Sequence, residues 1–113
     1  MTYFIVVRLQ FEGMHRWPDA PPASSYLAIP HRHMFHIEAE KEVPAPDRSI
    51  EFITLKHKIE AALSAQFPNI ESYGFHDFGN WSCEMIARWL VELFRLRRCV
   101  VFEDGENGGG VEA

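Results

Sequence analysis

His31-Arg32-His33 places two imidazoles at i and i+2, and on a strand such residues share a face. With a rise of ~3.3 Å per residue their Cα atoms stand ~6–7 Å apart. Both rings can then reach one metal ion at ~2.0–2.1 Å per nitrogen. His15 lies at the end of an earlier apolar, β-branched stretch. If the two strands pair antiparallel, the end of the first meets the start of the second, and His15 falls beside His31 and His33. Three imidazoles with one open position are the donor set of a catalytic zinc site rather than of a closed structural one. In a chain with six histidines a chance His-x-His is the competing reading, and the placement of His15 is what argues against it. His36 has the opposite parity and is expected on the other face.

Several elements must position these residues. Residues 3–11 are β-branched and aromatic, then alternate, with Val7, Leu9 and Phe11 against Arg8, Gln10 and Glu12, which reads as a strand. Four prolines make 17–30 a loop. Residues 31–43 form a second strand with Phe35, Ile37 and Ala39 on one face, closed by Pro44, Pro46 and Asp47. From 50 to 67 the period becomes helical, through Phe52, Leu55, Ile59, Ala62 and Leu63, and Pro68 stops it. Residues 70–81 read as a loop. Ser82 is a candidate cap for a second helix over 83–95, with Met85, Ile86, Trp89, Leu90 and Leu93 as its apolar stripe. A strand follows at 98–103. The Gly- and acid-rich 104–113 is expected to be flexible or a short final strand. The order β-β-α-α-β-β predicts one α+β domain over 1–113, an antiparallel sheet with two helices on one face.

Composition narrows the function classes. The chain has 113 residues, 47% hydrophobic and 13% aromatic, enough for a core. A net charge of −5 argues against phosphate-backbone binding, so no nucleic-acid partner is expected. No apolar run approaches the ~20 residues that span a bilayer, and the N-terminus lacks the pattern of a signal peptide. The two cysteines, Cys83 and Cys99, both in apolar stretches, are expected to be reduced, in a cytoplasmic protein.

Five short motifs, in order between about residues 3 and 104, resemble the 6-pyruvoyl-tetrahydropterin and 6-carboxy-tetrahydropterin synthase family. Phe11-Glu-Gly-Met-His15-Arg resembles its F-x-A-A-H-R, and His31-Arg-His33 its H-G-H. Glu51-Phe52-Ile-Thr-Leu55-Lys56 resembles D-F-x-x-L-K at a helix start. Asn80-Trp-Ser82-Cys83-Glu84-Met-Ile-Ala87-Arg-Trp89 resembles N-P-T-[ST]-E-x-[IL]-A-x-[WY], and Val101-Phe-Glu103-Asp resembles V-x-E-T. The resemblance implies the T-fold, a zinc ion on His15, His31 and His33, and a reduced-pterin substrate such as dihydroneopterin triphosphate. It implies that Glu103 anchors the pterin, with Ser82, Cys83 and Glu84 lining the same pocket. It also implies a homo-oligomer, a hexamer of two trimers. Read without the family, Glu103 is a solvated strand-end carboxylate and Ser82 a simple cap.

The departures bear on the chemistry. The family cysteine, four residues before the H-x-H, is Leu27 here. The family Asp-His dyad has His76 and Asp77 as its nearest counterparts, in reversed order. They are the candidate proton relay, with two surface loop residues as the alternative. Cys83, at a helix N-terminus, reads as a pocket-lining residue rather than as a substitute nucleophile. Two functions follow: a zinc-dependent synthase-like lyase acting on a reduced pterin, or a non-catalytic pterin or purine-nucleotide binding protein on the same fold.

Overall fold

A computed structural model describes residues 1–71 and 74–113. The alternating pattern makes β1 (Tyr3–His15), which runs four residues past the expected end. The stretch behind Pro30 makes β2 (His31–Val43). The two pair antiparallel, from Tyr3 opposite Val43 to His15 opposite His31. Odd-numbered residues of both strands turn inward, burying Val7, Leu9 and Phe11 beside Phe35, Ile37 and Ala39.

The first helix, α1 (Phe52–Gln66), starts at Glu51, whose carboxylate accepts the backbone N–H groups of Ile53 and Thr54 at 3.0 and 2.8 Å. Those two bonds hold the Glu51 carboxyl below its usual range. The helix buries Leu55, Ile59 and Leu63; Phe52, expected on the same stripe, is exposed at its start. The segment expected as a loop instead carries β3 (Asn69–Ile70) and β4 (Phe75–Gly79). β4 lies parallel to β1, with Gly13 beside His76 and Met14 beside Asp77, then a register shift that sets His15 beside Gly79. Two and five residues are too short for period 2 to register, and Gly79, at a φ of 60°, ends the strand rather than excluding it.

Ser82 caps α2 (Cys83–Phe94), its Oγ accepting from the Met85 N–H at 3.2 Å. The buried stripe is Cys83, Ile86, Ala87, Leu90 and Val91. Met85 and Leu93, expected on it, are exposed, because the stripe runs i, i+3, i+4, i+7, i+8 from Cys83 and leaves both to the side. At the other end Lys41 Nζ donates to the Phe94 carbonyl at 2.6 Å. Next, β5 (Arg98–Glu103) pairs antiparallel with β2, and β6 (Asn107–Glu112) antiparallel with β5. The Gly-rich tail is thus an edge strand. Its glycines serve close approach: a Cβ on Gly109 would collide with the Glu84 side chain, and one on Gly110 with the Cys99 carbonyl.

The sheet order is β3-β4-β1-β2-β5-β6, and all neighbours but β1 and β4 are antiparallel. Both helices cover the inner face and share its core with Phe35, Phe78, Cys99 and Val101. Among the described residues this is a T-fold-like α+β arrangement of six strands and two α-helices. No described helix is long and apolar enough to cross a membrane.

Gly13 is where the inner face is tightest: a Cβ there would stand 2.6 Å from Phe78 Cδ2 and 3.2 Å from the His76 carbonyl. Phe78 is itself packed between Phe35 and Phe67, at ring-centroid distances of 4.8 and 4.4 Å. Gly13→Ala is therefore expected to lose ~1–3 kcal/mol in urea unfolding, the cost of overpacking. An unchanged midpoint would mean that the Phe78 ring yields freely.

Candidate metal centre

The histidines gather because three strands end together. His15 is the last residue of β1, opposite His31, and His33 stands opposite Gly13 one inward step along β2. All three share the inward parity of Phe11 and Phe35. The rings of His15 and His33 rest edge-on against Phe35, at 5.2 and 5.8 Å between centroids. Glu103 ends β5 opposite Phe35, which sets it diagonally from His33. Among the described residues, His15, His31, His33 and Glu103 each offer a ligand atom, and these atoms all lie within 4.8 Å of one another.

The second nitrogen of each ring decides how these atoms face. His15 Nδ1 meets the Trp81 carbonyl at 2.9 Å, and His31 Nδ1 the Ile29 carbonyl at 2.9 Å. His33 Nδ1 meets Asp104 Oδ2 at 2.7 Å. A carbonyl oxygen can only accept. So can the Asp104 carboxylate, whose pKa is held below the usual range first by this His33 bond and then by the Met34 N–H. Each Nδ1 therefore carries a proton, which leaves Nε2 of each ring as the atom that faces the centre. The two carbonyls are firmly held. Trp81 packs its ring against Phe67 and Trp89, at 5.0 and 6.3 Å. Ile29, extended before Pro30, bonds back to Tyr26.

Glu103 Oε2 stands 2.9 Å from His15 Nε2 and 3.3 Å from His33 Nε2. Four potential ligand atoms around one point suit a metal cation. A tetrahedron of bonds ~2.0–2.1 Å long has edges of about 3.3 Å, near these two separations, and the four atoms, all within 4.8 Å of one another, would draw in to coordinate zinc. Three neutral imidazoles and a carboxylate are also a donor set that zinc accepts.

The group lies at the edge of a cleft of about 430 Å³. Ser82, Cys83 and Glu84 line it from the start of α2, with His15, His31 and Glu103 opposite. Gly109 leaves the room in which the Glu84 side chain crosses β6. Burial first, then the negative charges of Glu103 and Glu84, push the Cys83 thiol up to about 12. A thiol so held is no nucleophile at neutral pH, in keeping with a lining role. Leu27 presents an apolar wall to the same cleft.

His76 and Asp77 are not in the four-residue group. His76 stacks on Phe11 at 4.5 Å between centroids, and its Nδ1 donates to the Phe67 carbonyl at 2.7 Å. Asp77 Oδ1 accepts the Gly79 N–H at 2.7 Å, closing the turn after β4. The two side chains thus serve separate partners. His36 lies on the opposite sheet face, near Gly105 in the turn after β5. Sequence reasoning had Glu103 only as a substrate carboxylate and missed Asp104 altogether. The one signal for Asp104 was its place in a Glu-Asp-Gly turn beside a candidate site residue.

Neither a protein-family model nor a curated protein matches the sequence. Among solved structures the chain is similar to an uncharacterized protein from Wolinella succinogenes, at 14% identity and a TM-score of 0.66. The match covers 99% of this chain and 98% of that one, and it shows the fold alone.

Burial also pushes the Cys99 thiol up to about 12. Unfolding would return both thiols to their ordinary value of 9.0. Above that pH the unfolded chain loses thiol protons that the folded chain keeps. The stability tied to the two thiols is thus whole below pH 9 and is lost as pH rises toward about 12. Iodoacetamide should label neither cysteine in native protein at pH 8 and both in urea; rapid native labelling of Cys83 would show a thiolate.

Proposed function

We propose that the chain is a zinc-dependent lyase of the 6-carboxy- or 6-pyruvoyl-tetrahydropterin synthase type, acting on a reduced pterin. The observation that carries this reading is the convergence of His15, His31, His33 and Glu103, with every Nδ1 occupied, at the edge of a cleft. The five motifs in order supply the substrate class. Zinc held by His15, His31 and His33, with Glu103 given up to the substrate base, would keep one open position and act as a Lewis acid on a hydroxyl or carbonyl of the substrate side chain, easing its deprotonation.

The remaining work falls to the chain. Glu84 and Glu103 accept hydrogen bonds from the ring N–H and exocyclic amine of the base, for which a carboxylate offers two coplanar acceptors. Leu27, Met85, Trp17 and Trp81 enclose the ring and exclude water. His76 receives the substrate proton. Its Nδ1 is committed to Phe67, so Nε2 is the basic nitrogen. Asp77, engaged by the Gly79 N–H, takes no part in that step. The free, buried cysteines suit a reducing, cytoplasmic setting. Exposed Trp17, Tyr26 and Ile29 near the cleft, with Phe4 and Val6 on the outer face, suit assembly into the hexamer that the resemblance implies.

One observation favours a second reading, a pterin or purine-nucleotide binding protein without turnover. Leu27 stands where the family has its cysteine, and Cys83 is held as a thiol.

Zinc-loaded protein incubated with dihydroneopterin triphosphate separates the two. The lyase consumes the substrate, and His76→Ala lowers the rate by ~10²–10⁴-fold. The binding protein gains thermal stability from the pterin and yields no product. Under either reading Glu84→Ala weakens pterin binding while the zinc content stays constant. If Glu84→Ala and Glu103→Ala both leave binding and turnover intact, the pterin pocket is wrongly assigned.

A further inference from the structure

We infer that Asp104 is a positioning residue of the metal centre, which fixes the tautomer and ring plane of His33 so that Nε2 faces the ion. The inference rests on the metal reading above and gives a task to a residue that is no ligand itself.

Asp104 follows β5 at a φ of 55°, in the left-handed region that Asp, Asn and Gly enter more readily than other residues. Its N–H donates to the Met34 carbonyl at 2.8 Å, and its Oδ1 accepts the Met34 N–H at 3.0 Å. Both polar groups of the Met34 main chain are thus bonded to one residue, which extends the β2–β5 ladder past Phe35 and Glu103. With Oδ1 committed, Oδ2 reaches His33 Nδ1 at 2.7 Å. The two donors, Met34 N–H and His33 Nδ1–H, need a side chain that accepts at both ends. Only a carboxylate does so at this length. His15 and His31 are oriented by main-chain carbonyls, which no substitution removes. His33 alone depends on a side chain, so its orientation can be tested by a point mutation.

Asn at this position keeps the backbone angle and has one acceptor and one donor. The Met34 N–H can never accept, whereas Nδ1 of a neutral imidazole accepts once its proton moves to Nε2. The satisfied arrangement in Asp104→Asn therefore keeps Oδ1 on Met34 and turns the amide N–H toward His33. The ring then points a proton at the place of the metal. Asp104→Gly also tolerates the angle and removes both side-chain bonds, but imposes no tautomer.

The test compares wild type, Asp104→Asn and Asp104→Gly by three measurements. The first is which His33 ring nitrogen carries the proton in metal-free protein, read from ring nitrogen shifts across a pH series. The second is zinc affinity by competition with a chromogenic chelator. The third is the Tm of the metal-free protein. The expected result is an Nδ1–H ring in wild type and an Nε2–H ring in Asp104→Asn. Zinc affinity of Asp104→Asn should fall roughly 10–100-fold, the usual range for outer partners of metal ligands. Asp104→Gly should lose less affinity than Asp104→Asn although it loses more bonds. A merely structural role predicts the reverse order, following Tm, and that result overturns the inference. So does an Nδ1–H ring or undiminished zinc affinity in Asp104→Asn. If wild type takes up no zinc, the metal reading fails by itself, and the tautomer comparison alone decides the role of Asp104.

Discussion

An imidazole has two nitrogens, and what one of them does dictates the other. In this protein all three inward histidines at the strand ends have Nδ1 committed to a pure acceptor: two main-chain carbonyls and the Asp104 carboxylate. Three Nε2 atoms and the Glu103 carboxylate are left facing one point. Without a metal ion, protons on Nε2 would pair His15 and His33 with Glu103 at 2.9 and 3.3 Å. With one, those protons leave and the same atoms are close enough to draw in around it. The surrounding structure can be read as the means of holding those acceptors still.

Each acceptor is fixed by a different device. The carbonyl of Trp81 is held by the packing of its own ring between Phe67 and Trp89. That of Ile29 is set by the proline after it and by a turn bond to Tyr26. Asp104 is set by a left-handed backbone and two bonds to Met34. Beneath the rings, Phe35 and Phe78 give a rigid floor, and Gly13 allows β4 to bring Phe78 across β1. The cleft beside the site combines two acidic groups, an un-ionised thiol and apolar walls, a lining suited to a planar base rich in N–H donors.

The sequence made the sheet core and the histidine cluster legible because both depend on local period. Parity along two alternating strands placed His31 with His33, and antiparallel pairing placed His15 with them. Ser82 was legible as a cap from its residue type. The parts that escaped depend on contacts distant in sequence. β4 has no period of its own and exists because Phe78 fills the space over Gly13. The glycine run of β6 looked like a linker, yet its missing side chains allow close approach to β5 and Glu84. Asp104 bonds His33 across 71 positions, a pairing that no spacing rule reveals. The stripe of α2 was misread at Met85 and Leu93, because apolar residues on a helix near a cleft need not face the core.

The central claim is that these four residues hold a metal ion, and metal content tests it most directly. Protein purified without a tag, exposed to zinc and dialysed, should hold about one zinc ion per chain by elemental analysis, the stoichiometry of a single four-donor site. A His31→Ala/His33→Ala double variant with an unchanged circular dichroism spectrum should hold none. Folded wild-type protein that retains no zinc, or a double variant that retains as much as wild type, would contradict the account.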